Sequence, residues 1–162
     1  MMKAGRSRLL AACLAMLGTA VTPWLTQAVI PPARAQTAQL APPPPGLARV
    51  WFLRQFEPAE SLWTPMIYVN GAAMTPSQPG TIFYRDFAPG TYTFAVDSCG
   101  ADANQFPTVQ LAPGAQYEYE VQSLESFRPP DCPRGTGVFY VRPVLPQFLP
   151  LYLPQLAYLG AR

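Results

Sequence analysis

From residue 48 onward, apolar residues recur at every second position in short stretches, and Pro or Gly punctuates the gaps between them. A two-residue period belongs to strands with one buried face; a helix would repeat every three to four residues. Ala48–Arg54 opens with the continuous apolar run Val50-Trp51-Phe52-Leu53, which predicts a strand covered on both faces. Met66–Val69 predicts a short strand closed by Asn70-Gly71, a strong hairpin signal because both residues tolerate positive φ. Thr81–Phe87 and Thr91–Asp97 are joined across Ala88-Pro89-Gly90, where Pro presets φ and Gly accepts the left-handed corner of a type II turn. In the second of these, Tyr92, Phe94 and Val96 alternate with Thr91, Thr93 and Ala95, so one face is expected in a core. Thr108–Leu111 and Gln116–Leu124 flank Ala112-Pro113-Gly114, and Gly137–Arg142 supplies the last strong strand. Seven strands punctuated in this way predict an all-β fold, a single small β-sandwich over residues 48–142.

The flanks read differently. Met1 to Arg8 carries three cations and no acid, Leu9 to Val21 is apolar, and Ala33 and Ala35 are the small residues a signal peptidase needs. Residues 1–35 are therefore expected to be a secretory leader, cut between Ala35 and Gln36. Two alternatives compete: an uncleaved anchor over Leu9 to Ile30, which Thr22, Pro23, Thr26 and Gln27 weaken, and a lipoprotein beginning at Cys13. Only four apolar residues precede Cys13, where a leader core needs about 7 to 15. Residues 36–47, with Pro42 to Pro45, read as a polyproline linker. The tail, residues 143–162, is apolar but interrupted by Pro143, Pro146, Pro150 and Pro154. Those prolines argue against a continuous helix, a central strand or a membrane span, and predict an extended strap laid over the sandwich. Its sharper reading is a partner-docking segment through Phe148, Leu149, Leu151, Tyr152 and Leu153, with packing the weightier of the two.

Charge narrows the classes of partner. The whole chain has a formal charge of +2, but Lys3, Arg6, Arg8 and Arg34 lie in the leader, and beyond it seven arginines face nine acids. No basic patch is left to hold nucleic acid or an anionic membrane surface. In an oxidising compartment, Cys99 and Cys132 are expected to pair, closing a loop worth about 3 to 4 kcal/mol on the chain-entropy view.

Catalytic chemistry is sparse. The chain has no His, no Gly-x-Ser-x-Gly elbow and no Lys after the leader, which removes triad hydrolysis, Schiff-base chemistry and P-loop phosphate binding. Asp102-Ala103-Asn104 begins like a calcium loop, but Pro107 and Pro113 stand where Gly and Glu are needed, and no cofactor is expected. Glu118 and Glu120 share a strand face at roughly 6 to 7 Å, near the spacing of an inverting glycosidase pair. Because Tyr117, Tyr119 and Val121 take the other face, the two acids read as the solvated side of an amphipathic strand. Trp63 and Tyr68 flank a loop and a hairpin, where aromatic faces could stack on sugar rings or simply pack at the rim, whereas Trp51 and Phe52 read as core.

Three motifs in order, Arg49-Val50-Trp51-Phe52-Leu53-Arg54, Ile67-Tyr68-Val69-Asn70-Gly71 and Pro89-Gly90-Thr91-Tyr92-Thr93-Phe94, resemble an uncharacterised family of exported bacterial proteins, domain of unknown function 2846. The resemblance covers Ala48 to Arg142 and leaves out the proline-rich tail and the cysteine pair. It implies an envelope-located sandwich akin to prealbumin-like or carbohydrate-binding-like domains, with no established activity and no functional residue to transfer. The expectation is a non-catalytic exported binding or structural module, its partner an envelope protein or, alternatively, a cell-wall glycan. A carboxylate enzyme built on Glu118 and Glu120 is the third reading.

Overall fold

A computed structural model of the chain describes residues 41–58, 62–99, 106–124, 129–133 and 136–162. The expected leader with its expected cleavage point at Ala35 and Gln36, Cys13 and the calcium-like Asp102-Ala103-Asn104 lie outside the described residues.

The fold is an all-β sandwich. Its strands are β1 (Ala48–Arg54), β2 (Met66–Val69), β3 (Ala72–Pro76), β4 (Thr81–Phe87), β5 (Gly90–Val96), β6 (Thr108–Leu111), β7 (Gln116–Ser123), β8 (Phe139–Val144) and β9 (Ala157–Ala161). Five form one sheet in the order β8-β7-β1-β4-β9, and four form the other in the order β3-β2-β5-β6. The two-residue period explains the core: Val50 and Phe52 of β1, Phe83 of β4, Phe94 of β5, and Tyr119 and Val121 of β7 meet between the sheets. Phe52 stacks on Phe83 with ring centroids 5.4 Å apart and meets Phe94 edge-on at 5.2 Å, both favourable aromatic geometries.

Two strands exceed the seven expected. β3 has the weak strand sequence Ala-Ala-Met-Thr-Pro, and it forms because the Asn70-Gly71 turn returns it alongside β2. Both turn residues have positive φ, 49° and 81°, the geometry whose twist matches a two-residue hairpin. β9 follows the prolines and pairs in parallel with β4, so the tail ends as an edge strand.

The rest of the tail departs from the expected extended strap. Pro146–Phe148 and Leu153–Gln155 are 3₁₀ turns flanking the single α-turn Leu149–Tyr152. Each of the three has a proline at its first or second position, where the missing N–H has no helical partner to lose. Prolines spaced by four residues thus prevent one long helix while permitting three short turns. Pro143 sits in β8, an outer strand of its sheet, where proline is tolerated.

This helical strap crosses the outer face of the five-stranded sheet. Leu149 and Leu153 are buried there against Trp51, Leu53 and Ile82, with Tyr152 and Leu156 packed at the margin. β1 is consequently buried along its whole length, as its continuous apolar run predicts. Among the described residues, no helix is long and apolar enough to cross a membrane.

Candidate ligand site

The loop from β1 to β2 carries Trp63, whose ring is half exposed. Its backbone is anchored from below by Arg54, the last residue of β1, which is only 4 % exposed. One Arg54 guanidinium nitrogen donates to the Trp63 carbonyl at 2.5 Å and to the Ser77 carbonyl at 2.9 Å, and the group lies 4.9 Å from the Phe139 ring centroid. Burial lowers the Arg54 pKa to about 10, so it stays charged at neutral pH and holds the loop from inside the sandwich end.

Beside Trp63 a cleft of about 340 Å³ opens, lined also by Asp97, Ser98, Cys99, Pro133 and Thr136. Its walls are held by local bonds. The Asp97 amide donates to the Met66 carbonyl at 2.9 Å, and a carboxylate oxygen accepts from the Met66 amide at 3.3 Å. The Tyr68 hydroxyl also bonds to the Asp97 carboxylate, which raises the tyrosine pKa. The Ser98 hydroxyl accepts from the Phe139 amide at 2.8 Å, and Thr136 donates to the Pro133 carbonyl at 2.7 Å. Cys99 and Cys132 are disulfide-bonded, with Cα atoms 5.7 Å apart, joining two of the loops that form the cleft. The expected disulfide is therefore present, and it stiffens this rim.

Trp63 and Tyr68 thus contribute to one place, but differently. Trp63 forms a wall; Tyr68 is not on the lining and acts through Asp97. An apolar ring facing a carboxylate and hydroxyls suits a polyhydroxylated ligand with apolar C–H faces. Asp97 and Thr136 escaped the sequence reading, since an Asp after a strand and a Thr in a loop carry no periodic signal. A charge ending an apolar run, as Arg54 does, was the available hint of a special position.

The reading of Glu118 and Glu120 as a solvated strand side is overturned. Strand register places Glu118 beside Trp51 and Glu120 beside Leu53, on the outer face that the strap covers, and they are 6 % and 1 % exposed. Arg142 grips one oxygen of Glu120 through two nitrogens at 2.8 and 2.5 Å, while Gln55 donates to the other at 2.8 Å. Burial raises the Glu118 pKa. One acid is engaged by an arginine and a glutamine, and the other is enclosed, so they form no open pair flanking a substrate.

The tail residues, for which packing is the weightier expectation and docking the sharper one, divide. Leu149 and Leu153 are buried, Tyr152 is half-buried, and Phe148 and Leu151 are exposed together with Leu145. The packing reading holds for the first three and fails for the others. Neither the protein-family models nor the curated proteins contain a match to this chain.

Proposed function

We propose that this chain is a non-catalytic, exported binding module of the cell envelope, and that a cell-wall glycan occupies the cleft beside Trp63. The observation that carries the reading is the half-exposed indole on the wall of a cleft whose other polar lining groups are Asp97, Ser98 and Thr136. Sugar rings present apolar faces to stack and hydroxyls to hydrogen-bond, and a cleft with few placed polar groups on apolar walls is the usual form of a small-ligand site. The envelope address rests on the leader pattern and on the resemblance to exported bacterial proteins.

Beyond residue 35 the chain holds two tryptophans, buried Trp51 and exposed Trp63, so intrinsic fluorescence reports the cleft directly. Titration with soluble cell-wall oligosaccharides is expected to give a saturable fluorescence change, and calorimetry, which does not need the indole as reporter, is expected to show binding that Trp63→Ala abolishes while unfolding stays unchanged. A flat titration, or one indifferent to Trp63→Ala, defeats the proposal. A second reading, docking to an envelope protein, is favoured by the exposed stripe Leu145, Phe148 and Leu151, three residues apart along the strap. Loss of a co-purifying envelope protein on polar substitution of those three residues, with folding intact, would select it.

A further inference from the structure

A second concave region lies at the end of the sandwich where the β2–β3 and β4–β5 turns meet, a groove of about 420 Å³. It opens between two strand edges. β3 is the last strand of its sheet, and β9 accompanies β4 only as far as Tyr84, where the Arg162 amide donates to the Tyr84 carbonyl. Val69, Met74, Phe87 and Tyr92 line it and also pack against the main core, so its floor is continuous with that core.

Arg85 stands among them on the core-facing side of β4. Its register partner is the fully buried Val50, and its guanidinium lies 6.0 Å from the ring of Phe87, two residues along on the same face. Arg85 is nevertheless exposed. Arg85 makes no ion pair with any described residue. The neighbouring Asp86 is already neutralised, its two oxygens taken by Arg49 at 2.8 and 2.9 Å. The groove therefore combines an apolar floor with one positive charge that no described residue pairs with, and its volume lies within the roughly 300 to 1,000 Å³ typical of small-ligand sites.

We propose that this groove binds an amphiphilic anion, an acyl chain ended by a carboxylate, with Arg85 holding the head group and Val69, Met74, Phe87 and Tyr92 the chain. A planar guanidinium matches a carboxylate with two parallel hydrogen bonds, and the apolar floor offers the chain burial that water denies it. The inference is independent of the glycan reading and uses a different part of the molecule.

Calorimetric titration of the leaderless protein with decanoate, acetate and decanol tests it. Saturable binding is expected for decanoate alone. Arg85→Gln should weaken it about tenfold, Arg85→Lys should restore part of that loss, and Ala72→Phe, placed beside Val69 at the groove, should block it with folding unchanged. Binding of acetate or decanol as tight as that of decanoate, no decanoate binding, or a decanoate affinity indifferent to Arg85→Gln and Ala72→Phe would overturn the assignment.

Discussion

The two faces of the five-stranded sheet are built on different principles. The inner face is filled by aromatic and branched residues at alternate positions of its own strands, closed by the matching face of the second sheet. The outer face carries Trp51, Leu53 and Ile82 beside the carboxyls of Glu118 and Glu120, and its apolar cover, Leu149 and Leu153, arrives from one strap at the end of the chain. The first core is redundant, with many strands contributing. The second depends on a few contacts from a segment that mixes buried and exposed apolar residues, so the two should respond differently to mutation and to pH.

The largest effect belongs to the inner face. Phe52→Ala removes a ring in contact with Phe83, Phe94 and Tyr119, and is expected to cost about 3 to 5 kcal/mol, read by urea unfolding. Leu153→Ala tests the outer face, with an expected cost of about 2 to 3 kcal/mol, at the low end for buried leucine because the strap can settle toward the sheet. If Leu153→Ala costs as much as Phe52→Ala, the asymmetry between the faces is wrong. Removing the whole strap would bare Trp51, Leu53 and Ile82, so point substitutions separate docking from folding better than truncation does.

Acidity sharpens the contrast. Glu118 titrates in the folded protein above its ordinary value of 4.5 because burial disfavours the carboxylate. A raised acid pKa means that the unfolded chain ionises first. The contribution of Glu118 to stability is therefore full below pH 4.5 and is lost as pH rises through its folded pKa. Glu118→Gln should remove this component, and thermal unfolding at pH 4 and pH 8 checks it: the variant should gain relative to the parent only at the higher pH. No pH-dependent difference would mean that burial does not raise the Glu118 pKa in the folded protein. The smallest effect is expected from Leu151→Ser on the exposed side of the strap, within about 0.5 kcal/mol by the same unfolding measurement.

The strands with clean alternation were legible: β5 buries Phe94 and Val96 as its pattern predicts, and the run at Val50 to Leu53 foretold a strand covered twice. β3 and β9 were not, because Ala72–Pro76 and Ala157–Ala161 have little strand preference and are held by their neighbours. Of the candidate site, Trp63 and Tyr68 were nominated by type and position, while Asp97, which ties them together, was not. Its role comes from three segments meeting: the β1–β2 loop, the end of β5 and the disulfide rim.

Local chemistry alone determined much of this protein: the all-β class, the hairpin turns, the strand face each residue would share and the pairing of Cys99 with Cys132. Those properties depend on backbone preferences and two-residue periodicity, which act between near neighbours, and on a count of two cysteines beyond residue 35. Tertiary structure decided which polar positions are dry. The period placed Glu118 and Glu120 opposite Tyr119 correctly, but their burial on the outer face, beside the Trp51 and Leu53 that Leu149 and Leu153 cover, and the hold of Arg142 and Gln55 on Glu120 come from segments distant in sequence. Burial is a property of what covers a surface, and that cover is supplied by a distant part of the chain.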